Sequence, residues 1–217
     1  MGTLLGHYWQ VRLEKCREAL EANNFAAFVT EDISQARRIV LEKIFPKTGA
    51  QSVSWGDSMT LHVTGVLDAL QGYHGLHIIK TFEKGVPRSE IIERRRQALL
   101  VDFFLTGTNA VTECGKLVNL DMVGNRVAAI TFGPKNVVII VGRNKIVPDI
   151  ASAMFRIKDC AAPLNAIRHD FKTPCAVTSR CRVCKSPDRI CNTWMITEKS
   201  FPKGRIKVIL INEELGL

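Results

Sequence analysis

Three short apolar runs, each set between segments of helical spacing, govern what this chain can fold into. Phe25 to Val29, Ser52 to Trp55 and His77 to Phe82 are strand-sized. Around them lie helix-spaced stretches: Tyr8 to Ala22, a segment capped by Asp32 or Ser34 and running to about Phe45, Met59 to Leu70, and Ser89 to Val101. Trp9, Leu13, Cys16 and Leu20 mark the buried stripe of the first. Strand and helix alternating at this rhythm predict an α/β fold, a mostly parallel sheet flanked by helices.

The middle of the chain changes character. Asp102 to Leu105, Lys116 to Asn119, Arg126 to Thr131 and Asn136 to Val141 read as short β-like runs separated by Gly and Asn. Pro148 opens a helix over Asp149 to about Ala161, and Lys207 to Ile211 is a final strand. Residues 163–192 show no regular period and hold four of the seven cysteines. A stretch that long is uncommon inside a compact domain unless something holds it, and a metal centre would. We read 1–217 as one α/β domain with 163–192 as a cysteine-rich segment within it.

Hydropathy and charge narrow the setting. No apolar run approaches the roughly 20 residues a membrane helix needs, and the opening Gly2-Thr3-Leu4-Leu5 lacks the basic start and apolar core of a signal peptide. The expected location is the cytoplasm, where clustered cysteines bind metal more often than they pair. The net charge is +9, and the last 67 residues carry 12 Lys and Arg against 6 Asp and Glu. This excess fits a solvated basic surface or a small anionic metabolite. Nucleic acid is not expected, because no helix-turn-helix, zinc-finger or aromatic RNA-binding signature accompanies the charge.

The sharpest chemical signal is C-x5-C-x2-C-x6-C over Cys175, Cys181, Cys184 and Cys191. Four soft thiolates suit an iron–sulfur cluster or Zn²⁺. Arg180, Arg182, Lys185 and Arg189 lie among them and favour the thiolate form. Paired CxxC motifs typify four-cysteine zinc sites, and only Cys181 and Cys184 form one here. The leading assignment is therefore a [4Fe–4S] cluster, with zinc the alternative. Cys16, Cys114 and Cys160 read as small apolar residues.

Two loops carry the polar groups of a candidate pocket. Ser54 to Thr60 leads from a strand into a helix N-terminus, where free N–H groups attract anions. Gly56, Ser58 and Thr60 are its candidate ligand-binding residues, and a plain N-cap by Asp57 or Ser58 is the simpler account. The second runs from Gly107 through Asn109, Glu113, Asn119 and Asp121 to Asn125 and Arg126. Ligands bind at strand C-termini in open α/β sheets. Here Glu113 is the candidate reactive carboxylate. Asn109 and Asn125 would orient an anion whose charge Arg126 or Lys145 pairs, and Asp121 is a further candidate ligand-binding residue. Tight turns with left-handed Asn and Gly explain the same residues without function. No GxSxG elbow, Walker loop or HExxH is present.

Several of these segments together resemble the LUD domain family, named for lactate utilisation. The resemblance rests on Gly107-Thr108-Asn109-Ala110-Val111-Thr112-Glu113, Gly115-Lys116-Leu117-Val118-Asn119, Gly124-Asn125-Arg126-Val127-Ala128-Ala129 and Gly133-Pro134-Lys135. It continues through Gly142 to Asp149, Thr173-Pro174-Cys175 and Ser186 to Asn192, nearly the whole chain, and points to the small stand-alone branch. Two positions depart: the family tends to carry Gly where Asp57 and Met122 stand.

The resemblance implies a fold like that of the sugar-phosphate isomerases and coenzyme A transferases. It also implies a place in the oxidation of lactate or a related organic acid, beside an iron–sulfur or flavin redox partner. Two functions follow as expectations. One is a [4Fe–4S] electron relay. The other is an enzyme acting on a small carboxylate, phosphate or CoA-linked substrate, with Glu113 reactive and the metal structural. A homodimer is compatible with both.

Overall fold

The computed structural model describes residues 2–217. Ten strands appear in chain order: β1 (Ala26–Thr30), β2 (Ser52–Trp55), β3 (His77–Ile79), β4 (Phe103–Thr106), β5 (Ala110–Thr112), β6 (Leu117–Asp121), β7 (Asn136–Gly142), β8 (Ile146–Val147), β9 (Thr193–Thr197) and β10 (Ile206–Ile211). Six of them form a sheet in the order β1-β10-β7-β4-β2-β3, every neighbouring pair parallel. The expected α/β architecture with a mostly parallel sheet is present.

The two-residue period of the strands sorts their side chains into two cores. Val137, Ile139 and Val141 of β7 join Val208 and Leu210 of β10 on one face, under Leu13, Cys16 and Leu20 of the helix Gly2–Ala22. Val138 and Ile140 join Ile209 and Ile211 on the other, against Val40, Leu61, Leu67 and Leu70. Val137–Val141 of β7 and Val208–Ile211 of β10 thus read as unbroken apolar runs because both faces are covered. Phe104 and Phe103, adjacent on β4, are fully buried in opposite layers.

A second sheet, β8-β5-β6-β9, sits beyond the C-terminal ends of the first. Its pairs β5–β6 and β6–β9 are antiparallel, and β5–β8 is parallel. Ala153 and Ile157 pack on its Ala110, Val118 and Leu120.

Caps fall where the sequence places them. Asp32 accepts from Gln35 N at 2.7 Å and Ser58 from Leu61 N at 3.2 Å, each opening a helix. The Met59–Leu70 helix is broken at Gly65, which takes φ +63°, and restarts at Val66.

Two expectations are corrected, and one strand is added. The run Arg126–Thr131 is not β-like but belongs to the helix Asn125–Thr131. Gly124 at φ +95° turns the chain into it, and Val127 and Ile130, three apart, share its buried side. Residues 163–192 are more regular than expected: a helix runs over Ala162–Arg168, with Pro163 tolerated in its first turn, and Pro174–Thr178 is a second short helix. Thr193–Thr197, whose largely exposed side chains give no burial pattern, is β9 on the edge of the second sheet.

Candidate functional site

The turns that leave β2, β4 and β7 at their C-terminal ends surround a cavity of about 350 Å³. β2 supplies Asp57 and Ser58, β4 supplies Gly107, Thr108 and Asn109, and β7 leads to Lys145. Asp121, Asn125 and Arg126 line it as well, as do Asn165, Arg168 and His169 from the C-terminal segment. Six anticipated residues therefore line one space: Ser58, Asn109, Asp121, Asn125, Arg126 and Lys145.

The other two stand behind that lining. Thr60 Oγ1 accepts from Lys145 Nζ at 3.0 Å. Gly56 allows a close approach, since a Cβ there would lie 2.7 Å from Thr106 Oγ1 and 3.3 Å from Arg126 Cγ. Gly107 does the same at the opposite loop, where a Cβ would stand 2.5 Å from the Ser58 hydroxyl. Gly107→Ala must push Ser58 off its cap on Leu61 N. Loss of such a cap typically costs about 1 kcal/mol. A urea titration is expected to show that loss, and an unchanged midpoint would mean that Ser58 adapts freely.

Glu113 is not among the cavity-lining residues. Its side chain is 43% exposed and pairs with Arg12 at 2.5 Å on the outer surface. The reason is register: Ala110–Thr112 forms β5, which carries Glu113 past the cavity to a turn whose N–H donates to Val147 O at 2.8 Å. The side-chain carboxylates lining the cavity are Asp57 and Asp121.

Both of those are already engaged. Arg126 Nε donates to Asp121 Oδ2 at 2.9 Å, and its Nη2 donates to Asn109 Oδ1 at 2.9 Å and Leu120 O at 3.0 Å. Asp121 Oδ1 also accepts from Gly124 N at 3.0 Å. Arg168 and His169 hold Asp57, joining the C-terminal segment to the β2 loop across the cavity. Arg156 donates to Asn109 O at 2.8 Å and Asn144 O at 3.0 Å, tying two of the loops together.

Two cations on the cavity, Lys145 and Arg95, make no ion pair among the described residues. Lys145 is 5% exposed, with Thr60 as its hydrogen-bond partner and no carboxylate in ion-pair range among the described residues. Burial, with Arg156 and Arg126 nearby, brings its ammonium down to about 7. Arg95 lies over the Phe82 ring at 5.0 Å, both lining the cavity, and its buried Nε has no partner. A concave site with unpaired positive charge attracts anions.

Beside this cavity lies a second, of about 20 Å³, lined by Cys175, Cys181, Cys184 and Cys191 together with Lys158, Arg182 and Arg189. The four expected cysteines converge, from the short helix Pro174–Thr178, the turn after it and the approach to β9. Arg189 braces the loop, donating to Cys184 O and Cys191 O at 2.9 Å each. Ser179 at φ +54° and Val183 at φ +48° take the left-handed conformation that non-glycine residues avoid. For branched Val183, inside the CxxC, this is strain of the sort that collects at functional loops. Burial pushes the Cys191 thiol up, as do the Cys181 and Cys175 thiols, while Lys158 and Arg189 pull it down. All four thiols are free. No three His, Cys, Asp or Glu side chains among the described residues are drawn together tightly enough to cage an ion. Four thiols on one small space, with no competing carboxylate or imidazole on its wall, are nevertheless a donor set of the right chemistry for a cluster or zinc. Cys191 and Ile190 line both cavities.

The LUD domain family model matches residues 13–211. The chain belongs to the LUD domain family. A crystal structure of a DUF162 family protein from Deinococcus radiodurans is similar with a TM-score of 0.53 at 11% identity, over 94% of this chain and 98% of that one. At that identity the likeness is one of fold. No curated protein gives a significant match.

Within this LUD domain both departures from the family resemblance fall on the cavity wall, as Asp57 and Met122. Arg95, Phe82 and Arg168 line it too and were not singled out in the sequence. Arg95 sits inside the run Arg94-Arg95-Arg96; only the side on which it projects separates it from Arg94, paired with Glu83 and Glu90, and exposed Arg96. Among the described residues no helix is long and apolar enough to cross a membrane.

Proposed function

We propose that this LUD protein binds a small organic anion in the larger cavity, beside a metal centre held by Cys175, Cys181, Cys184 and Cys191, in the lactate-type utilisation for which the family is named. The observation that carries this reading is Cys191, whose residue lines both spaces. It supports contact between ligand and thiolate centre through one wall. Arg95, with Lys145 in its protonated form, supplies charge for the anion, Asn109 and Asn125 orient it, and Asp121 with Arg126 holds the wall in shape. When bound, a [4Fe–4S] cluster would supply one-electron transfer, and zinc would supply a structural staple. Lys158, Arg182 and Arg189 offset the thiolate charge either way.

The second reading, a non-redox enzyme of the isomerase or transferase kind, is favoured by the uncompensated Lys145 and carries Glu113 no longer as its reactive group. Protein purified without oxygen separates the two. A broad absorption near 400 nm with about four irons and four sulfides per chain is the expected result, and it should change when lactate and an electron acceptor are added. A colourless protein with one zinc would move the chemistry wholly into the cavity.

A further inference from the structure

We propose that Lys145 is a nucleophilic amine that captures the carbonyl carbon of a small 2-oxo acid as an imine. The inference rests on the reading of the cavity as an organic-anion site and names the ligand class it takes.

The geometry carries it. A buried lysine ordinarily reaches a carboxylate or snorkels its charge to solvent. Lys145 does neither, although it lines an open cavity and belongs to the turn Arg143–Lys145 directly after the central strand β7. Thr60 Oγ1 donates its own hydrogen to Leu215 O at 3.1 Å, so it accepts from Nζ and leaves the nitrogen lone pair unused. The charged groups bearing on Nζ are Arg126 and Arg156, both cations. An amine desolvated beside other cations is the pattern of a reactive lysine, and its fall to about 7 makes a large share neutral at neutral pH.

Arg126 explains the carboxylate. Its Nε and Nη2 are committed to Asp121, Asn109 and Leu120, and among the described residues its Nη1 makes no protein hydrogen bond. A 2-oxo acid sets its carboxylate one bond from its carbonyl, so one cation and one neutral amine facing the same space match its two groups. The neutral Nζ lone pair attacks the carbonyl carbon. The amine gives up its two hydrogens, the carbonyl oxygen leaves as water, and a carbon–nitrogen double bond remains. No oxidant or reductant is consumed.

Incubating the full chain with pyruvate and cyanoborohydride, then mapping peptides by mass spectrometry, tests this. The expected product is one adduct on Lys145, heavier by one molecule of the acid less one oxygen atom. At pH 7 labelling should run about 10³-fold faster than at a surface lysine, from the difference in neutral fraction. Lactate, which has the carboxylate but no carbonyl, should protect, and Lys145→Met should leave no mapped adduct. Labelling scattered over surface lysines, or pyruvate bound by calorimetry without an adduct, would overturn the nucleophile and leave the anion site standing. Failure of both pyruvate and lactate to bind would overturn the anion site as well.

Discussion

Lys145→Met is expected to stabilise the folded protein at pH 6 and to weaken binding of organic anions there. Methionine keeps an unbranched apolar chain of similar length and removes the buried charge. The sign follows from linkage. The ammonium falls from its ordinary 10.5 to about 7 in the fold, so the unfolded chain holds more protons between those values and wild-type stability rises with pH across that window. Below pH 7 the charge is present in both states and the full penalty applies. Above about 10.5 both states are neutral and the penalty is gone. At about 1.4 kcal/mol per pKa unit the penalty is on the order of 5 kcal/mol. Paired urea titrations at pH 6 and pH 10 should show the variant well ahead at the lower pH and the two proteins converging at the higher. Equal midpoints at pH 6 would mean that the ammonium finds compensation in solution. A lysine kept at such a cost has a reason in function, because a neutral side chain would fill the position without it.

Arg126→Met is expected to have the opposite effect on stability. Arg126 and Asp121 are 13% and 10% exposed at their side chains, and Nε and Oδ2 meet at 2.9 Å. Removing one partner of a buried pair strands the other charge, at about 3–5 kcal/mol. Asp121 Oδ1 keeps the N–H groups of Val123 and Gly124, at 3.2 and 3.0 Å, so the lower end of that range is the expected value. Asn109 Oδ1 would also lose one donor and keep Leu120 N at 3.0 Å. Denaturation midpoints of Arg126→Met, Asp121→Asn and the double variant form the test. The double variant should recover much of the loss, since no charge is then left unpaired. A cost below about 1 kcal/mol for Arg126→Met, well under the range for a stranded buried charge, would show that this wall does not depend on the pair.

Much of the architecture was legible in the chain because parallel strands buried on both faces leave uninterrupted apolar runs. Val137 to Val141 and Val208 to Ile211 are of this sort, and they form the centre of the sheet. Arg126–Thr131 was misread because six residues with four apolar ones fit either period. The turn at Gly124 and the neighbouring layers chose the helix. β9 escaped notice because its partner β6 lies far away in sequence and its side chains are largely exposed, so no burial pattern marks it.

By itself the sequence determined the α/β class, the family, and the residue types of both sites: the cysteine quartet and the polar loops at the strand ends. These are local signals, carried by spacing, turn chemistry and ligand type. Tertiary structure alone decided which of those residues face one another. Glu113 and Asn109 are four residues apart in one loop, yet β5 lies between them and sends one to the surface and the other to the cavity. Arg95 and Arg94 are adjacent, yet only Arg95 lines the cavity. Cys191 and Lys145 are 46 positions apart and line the same space. Convergence of this sort depends on which strand ends share an edge of the sheet. Long-range packing sets that, and no local period in the chain encodes it.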